Sequence, residues 1–319
     1  MDKQAIIYDA IVVGGGPAGL SAATWLARYR RRTLVVDSGE YRNAAAQRTH
    51  GYLGSDPTEP MALLDRGRRD LRRYPQAEWA SGVASAASAL AGGGFELTVD
   101  RREQRCRRLV LATGVVDVVP DADGFEEHYG ASVFHCISCD GFEARDQAVV
   151  ALGWDAKVAA FALELKDWAS TVTVVTDGRR LEVDGASRAA LERHGVAVVE
   201  DEAGAFVGRR GDLEGVRLGG GRLLPCSLAF FSLSNSPRGE LADQLGCRRT
   251  DQGCIEVDEQ NQTSVDGVYA AGDITPGMQL AVVAAGKGAV AGAACAMSLH
   301  GEPAVPGAPT PAPDPEREL

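Results

Sequence analysis

The stretch AIVVGGGPAGLSAATWLARYRRRTLVVDSGE, residues 10–40, constrains the fold more than any other part of this chain. A short apolar run at 10–13 suits a buried parallel strand. Gly14, Gly16 and Gly19 then form a G-x-G-x-x-G turn into a helix, and Asp37 closes the next strand eighteen residues beyond Gly19. Each position has a mechanical task. Gly14 allows the tight turn, Gly16 lets a pyrophosphate approach the backbone, and Gly19 lets helix and strand pack closely. The helix start favours the phosphate charge, and the Asp37 carboxylate can accept hydrogen bonds from a ribose. A glycine fingerprint alone says little. With strand, helix and acid in register it predicts a dinucleotide-binding βαβ unit.

The pattern returns once. Residues 148–177 read as strand AVVAL, turn GWDA, helix KVAAFALELKDWA and strand TVTVVTD. Aligned on the first unit by composition, Leu152, Trp154 and Lys157 fall at the three fingerprint positions, which puts an indole where backbone should meet pyrophosphate. Asp177 in TDGRR would repel a 2′-phosphate, which Arg179 and Arg180 partly offset. The expectation is a scaffold whose NADPH site has been lost; a drifted loop that still takes NADH weakly is the alternative.

Between the two units, residues 41–75 read as a polar loop and a basic helix, MALLDRGRRDLRRY. Residues 93–114 read as a β hairpin. The small-residue helix expected over 279–298 is interrupted by Lys287 and reads as a packed helix, not a membrane span. The chain starts straight into a strand and a glycine loop, leaving no room for a signal peptide, so a soluble, cytoplasmic protein is expected. A formal net charge of −11 argues against nucleic acid. The 29 arginines against 4 lysines read as coding bias. Residues 301–319 hold six of the fourteen prolines and are expected to be a disordered tail.

Of the seven cysteines only Cys136 and Cys139 are close in sequence, directly ahead of the second βαβ unit. Two cysteines three apart can close a disulfide. The attacking sulfur in such a pair must be a thiolate. Zinc is not expected, because His135 beside one C-x-x-C supplies at most three ligands. His135 itself reads as a helix-start or interface residue.

GGGPAG at 14–19, LATG at 111–114, CISCDG at 136–141 and TSVDGVYAAGD at 263–273 together resemble the low-molecular-weight thioredoxin reductase family, up to about residue 300. The resemblance implies an α/β fold of two Rossmann-like, three-layer ββα domains, the second inserted in the first. The FAD domain would be 1–115 plus 244–300, and the inserted pyridine-nucleotide-like domain 116–243. It implies FAD contacts from Gly14, Gly16, Pro17, Ala18, Gly19, Asp37, Ser38, Arg42, Asn43, His50 and Val83. Ala112, Thr113, Gly114, Gly272, Asp273, Gln279, Leu280 and Ala281 complete the set. Gln279 and Leu280 stand where the family usually has arginine and glutamine. Cys139 would face the flavin, Cys136 would exchange with substrate thiols, and Asp140 would serve as general acid/base. A homodimer is implied too.

YRNAAAQRTHGYLGSDP, residues 41–57, resembles the gliotoxin/holomycin-type dithiol oxidase branch, although Asp140 stands where the fungal members carry histidine. His50 is read either over the flavin in proton transfer or as a plain loop residue. The function expected from the branch is oxidation of a small dithiol to its disulfide in natural-product biosynthesis or self-protection, with O2 as acceptor and H2O2 as product. An NAD(P)H-dependent or ferredoxin-dependent reductase and a flavin-bearing redox sensor are the alternatives.

Overall fold

The structure, a computed structural model, describes residues 8–305. The chain opens as strand β1 (Tyr8–Val13), helix α1 (Pro17–Arg28) and strand β2 (Thr33–Asp37), the parallel βαβ unit its glycines announce. Helix α2 (Pro60–Leu71) and strand β3 (Ala77–Ser81) follow. Strands β4 (Ala84–Ala89), β5 (Phe95–Val99) and β6 (Arg102–Leu111) then form an antiparallel meander. Strand β6 does two jobs. Its first half pairs with β5, and its second half runs parallel to β1.

The chain then crosses into a second unit. Strand β7 (Val115–Asp117), helix α3 (Phe125–His128), strand β8 (Val133–Phe134) and the short helix α4 (Ile137–Asp140) lead through a 3₁₀ turn, Gly141–Ala144. A second parallel βαβ unit follows: β9 (Ala148–Leu152), α5 (Ala156–Leu165) and β10 (Thr171–Val175). Next come α6 (Gly185–Arg193), β11 (Ala197–Val199), and the antiparallel strands β12 (Ala203–Arg209), β13 (Asp212–Leu218) and β14 (Leu223–Pro225). Strand β15 (Leu228–Phe231) inserts between β8 and β9, giving the parallel order β11-β10-β9-β15-β8. Strand β16 (Asn235–Pro237) pairs with β7. Back in the first unit, α7 (Glu240–Gln244) precedes β17 (Val268–Ala270), which pairs with β6, and α8 (Ala281–Met297).

Both units are three-layered because their central strands are apolar on both faces. In β1, Ala10 and Val12 pack with Ala18, Ala22 and Ala291 on the helical side, while Ile11 and Val13 pack with Leu97 and Leu109 on the meander side. In β9, Val149 and Ala151 face Val158 and Ala162, while Val150 and Leu152 face Phe206 and Val216 of the three-stranded sheet. Each fully buried aliphatic side chain of these layers is worth roughly 1.5–3 kcal/mol. Helices α1 and α8 run parallel at close range. A Cβ on Gly288 would lie 2.0 Å from the Ala18 carbonyl oxygen, and one on Gly292 would lie 2.3 Å from that of Ala22.

The compact units comprise the described parts of Met1–Ala44, Met61–Val116 and Ser236–Leu319, and, separately, Ala45–Pro60 with Asp117–Asn235. Two expected boundaries therefore move. Segment 45–60, assigned above to the FAD half, belongs with the cysteine pair. Gln47 N–H donates to the Gly130 carbonyl (2.8 Å) and Arg210 donates to the Ala45 carbonyl (2.9 Å). Residues 236–243 return to the first unit. Arg238 N–H donates to the Gly114 carbonyl at 2.9 Å, and Leu241 and Ala242 join the core beneath the meander. The start of the expected disordered tail is also pinned. Arg107 donates to the Pro303 carbonyl (2.7 Å) and Val305 N–H to Asp9 (3.2 Å). The rest of that tail lies outside the described residues. Among the described residues no helix is long and apolar enough to cross a membrane.

Candidate active site

Glycine geometry in the first unit is tight at two fingerprint positions and open at the third. Gly14 has φ +108°, and a Cβ there would strike the Ala112 carbonyl oxygen at 2.2 Å; a Cβ on Gly19 would strike that of Gly14 at 1.8 Å. Gly16 differs. It is the N-cap of α1, no side chain caps the helix, and a Cβ at Gly16 would meet nothing within 4 Å. The first-turn N–H groups of this twelve-residue helix, from Ala18 on after Pro17, therefore lack a side-chain cap, with open space at Gly16 ahead of them. An opening of this kind can take a pyrophosphate.

Asp37 is buried at the end of β2 and accepts from Gly15 N–H at 3.0 Å. Its other oxygen takes the Tyr41 hydroxyl and Arg68, and Arg68 also stacks on Tyr41 and Trp79 (5.4 and 5.2 Å to the ring centroids). Arg68 Nε is buried without a hydrogen-bond partner. Tyr41, Arg68 and Trp79 carry no signal in the sequence. Tyr41 reaches the acid from the loop directly after β2, while the three-dimensional return of α2 and β3 brings Arg68 and Trp79.

Arg42, Asp273 and Gln279, which the sequence treats as separate contacts, form one cluster. Arg42 donates to Asp273 Oδ2 (3.0 Å) and Gln279 Oε1 (2.8 Å). Gly272 is held at φ +83° between the β17 strand and this aspartate. Leu280 is the N-cap of α8, without a side-chain cap, and Ala281 is its first residue. Thr113 Oγ1 donates to the Arg238 carbonyl (2.5 Å), and Ser38 Oγ accepts from Glu40 N–H at 3.3 Å. Val83 is exposed and donates its N–H to Asp100 (3.1 Å); Asn43 lies in the turn after Tyr41. These residues fit FAD: an open helix start for diphosphate, an acid with an orphaned arginine nitrogen for the adenosine side, and a polar cluster with a second open helix start.

The second βαβ unit is built differently, and its expected register is corrected by one residue. Gly14 N–H bonds the Val36 carbonyl (2.8 Å) as the chain leaves β1; Gly153 N–H bonds the Val175 carbonyl (3.1 Å) as it leaves β9. Gly153, not Leu152, is thus the first fingerprint position. Trp154 then matches Gly15, Asp155 matches Gly16, and Val158, not Lys157, matches Gly19. Asp155 is the N-cap of α5, accepting from Lys157 N–H (3.0 Å) and Val158 N–H (3.3 Å). The groups that stand open in α1 are taken here by a carboxylate. Arg179, expected as a possible phosphate ligand, lies with its guanidinium 3.6 Å from the Trp154 ring centroid.

Cys136 and Cys139 form a disulfide, with Cα atoms 5.2 Å apart. Cys136 is the N-cap of α4, and Cys139 N–H points at its sulfur (3.1 Å). Asp140 follows in the same turn. Burial, then the Glu143 charge, push its carboxyl up to about 7. A carboxyl so placed can hold or give a proton near neutrality. His50, read above as a flavin contact or loop residue, belongs to the same unit as the disulfide. Its Nε2 lies 3.6 Å from Glu143 Oε1 and its Nδ1 lies 3.3 Å from Asp56 Oδ1. Glu143 was missed, although a second acid three residues after Asp140 is a visible one-turn spacing. His135 makes a ring contact and a hydrogen bond (3.1 Å) with Tyr129.

A dinucleotide cradle and a C-x-x-C disulfide on paired three-layer domains define a flavoprotein thiol–disulfide oxidoreductase. The chain belongs to the pyridine nucleotide-disulphide oxidoreductase family, whose model matches residues 8–288. Among curated relatives it is 30% identical over 302 residues to "Thioredoxin reductase sirT" of Leptosphaeria maculans, covering 90% of this chain and 92% of that one. It is 34% identical over 284 residues to "Thioredoxin reductase tcpT" of Claviceps purpurea, covering 84% and 86%. Among solved structures it is similar to HlmI, at 34% identity and a TM-score of 0.87 over 94% of both chains.

Proposed function

We propose that this enzyme is a dithiol oxidase, converting a small dithiol and O2 to the cyclic disulfide and H2O2, and that its second βαβ unit no longer accepts a nicotinamide dinucleotide. One observation carries the reading. The helix start that would receive the dinucleotide's diphosphate is closed by the Asp155 carboxylate, with Trp154 and Arg179 stacked beside it. A diphosphate there would have to displace a cap and meet like charge. Val158 in place of the third glycine adds bulk, since a Cβ on Gly153 would fall 2.8 Å from Val158 Cβ.

With that entry closed, electrons come in through sulfur. The substrate's first thiolate attacks Cys136, its second thiol then resolves the mixed disulfide, and the product leaves as its own disulfide. Both cysteines are left reduced. Asp140 supplies and collects the proton at the exchanging sulfur. Gly14, Gly16, Pro17, Ala18 and Gly19 would hold the FAD diphosphate, Asp37 with Arg68 the adenosine side, and Arg42, Asp273 and Gln279 the ribityl side. Bound FAD supplies the electron sink, through which the pair leaves to O2. A role in natural-product biosynthesis or self-protection, in a cytoplasmic homodimer, completes the reading.

The competing function is reduction of a protein disulfide with NAD(P)H, which the names of the curated relatives favour. Oxygen uptake separates the two. The proposed enzyme consumes one O2 and forms one H2O2 per dithiol closed, with no nicotinamide present. Turnover that needs NADPH, and no peroxide from dithiol alone, would sink the proposal.

A further inference from the structure

Glu143 has a use that the exchange mechanism leaves open. It sits in the 3₁₀ turn Gly141–Ala144, directly after the helix that carries the disulfide. Its Oε2 is buried and has no hydrogen-bond partner. Its Oε1 faces His50 Nε2 at 3.6 Å, and the far side of His50 meets Asp56 at 3.3 Å. Arg145, the nearest arginine in sequence, is turned away onto the Phe142 ring at 4.3 Å. A buried carboxylate oxygen without a donor is rare and calls for an explanation.

We propose that Glu143 is the positioning partner of Asp140 in proton transfer to the leaving sulfur, itself held in place by His50 and Asp56. This rests on thiol exchange at Cys136–Cys139 and not on which oxidant follows. In the order the family likeness implies, an incoming thiolate bonds to Cys136 Sγ. The Cys136–Cys139 bond breaks with its electron pair on Cys139 Sγ. Asp140 gives that sulfur its proton and ends as the carboxylate. Glu143 lies one 3₁₀ turn on from Asp140, on the same face of that turn, where its carboxylate opposes the charge Asp140 gains on giving up the proton, and His50 meets that carboxylate at 3.6 Å.

The test uses the purified holoenzyme without oxygen, with dithiothreitol as the thiol, from pH 5 to 9. Samples are quenched with iodoacetamide, and alkylated Cys136 and Cys139 are counted by mass spectrometry. The rate is divided by the thiolate fraction of dithiothreitol. In the wild type this corrected rate should be flat at low pH and fall by about tenfold or more above pH 7, as an acid catalyst is lost. Glu143→Gln should move the fall to lower pH by about one unit, because a like charge is gone. Glu143→Asp should keep it near the wild-type position. If Glu143→Gln does not fold, Glu143→Ala gives the same reading. Coincident profiles for wild type and Gln variant, an equal displacement in the Asp variant, or no inflection in the wild type overturn the proposal. Peroxide is not measured, so failure of the oxidase reading would leave this result standing.

Discussion

In the proposed mechanism Asp140 carries the proton at the disulfide, and its environment makes stability depend on pH. Burial and then Glu143 raise its carboxyl from 3.8 to about 7. Between those values the folded protein binds more protons than the unfolded chain, so this group's contribution to stability falls as pH rises, and the whole penalty is present above pH 7. Asparagine cannot ionise. Asp140→Asn should therefore raise the thermal midpoint at pH 8, corresponding to roughly 2–4 kcal/mol. The gain should shrink through pH 6 and vanish below pH 4. Scanning calorimetry at the three pH values checks it; a gain independent of pH would contradict the assignment. Cys136, Cys139 and Asp140 could be read from CISCDG. Glu143 and His50 could not be joined in the same way, because their meeting depends on the return of segment 45–60 to this unit.

At the scale of elements, the two βαβ units present one architecture with opposite helix starts. Helix α1 begins at a glycine with open space; α5 begins at an aspartate whose side chain fills its own first turn. Substitutions should tell them apart. Gly16→Ala has room in the apoprotein and should fold, yet FAD retention should fall by tenfold or more, read by release of flavin fluorescence on dilution, since the backbone can no longer meet the diphosphate. Asp155→Ala should leave FAD retention unchanged and cost about 1 kcal/mol of stability by urea titration, the value of a lost cap. Equal flavin loss in both would contradict the distinction. The strands and helices of the two βαβ repeats and the hairpin at 93–114 were legible as apolar runs and glycine turns; helix α6 was not. The register of the second turn was not. Gly153 marks the strand end after AVVAL, but it is the one glycine left of three, so the fingerprint could not be placed on the turn until the bond from Gly153 to Val175 fixed it. Asp155 was nonetheless visible as a capping residue ahead of an apolar helix.

For the molecule as a whole, two nucleotide-fold units were legible in the repeat of βαβ patterns, their nesting came only from the family resemblance, and their borders were not legible. Polar residues 45–60 carry no periodicity, and backbone hydrogen bonds to Gly130 and from Arg210 decide where they belong. The return near residue 235 is unmarked because only Arg238 and Gly239 separate β16 from α7. Which unit admits electrons is the central question at this scale, and anaerobic stopped-flow absorbance of the FAD-loaded protein answers it most directly. A small dithiol should bleach the flavin within seconds, while NADPH and NADH at the same concentration leave it yellow. Rapid bleaching by either nicotinamide, with dithiol inert, would mean that the Asp155-capped helix start still receives a dinucleotide.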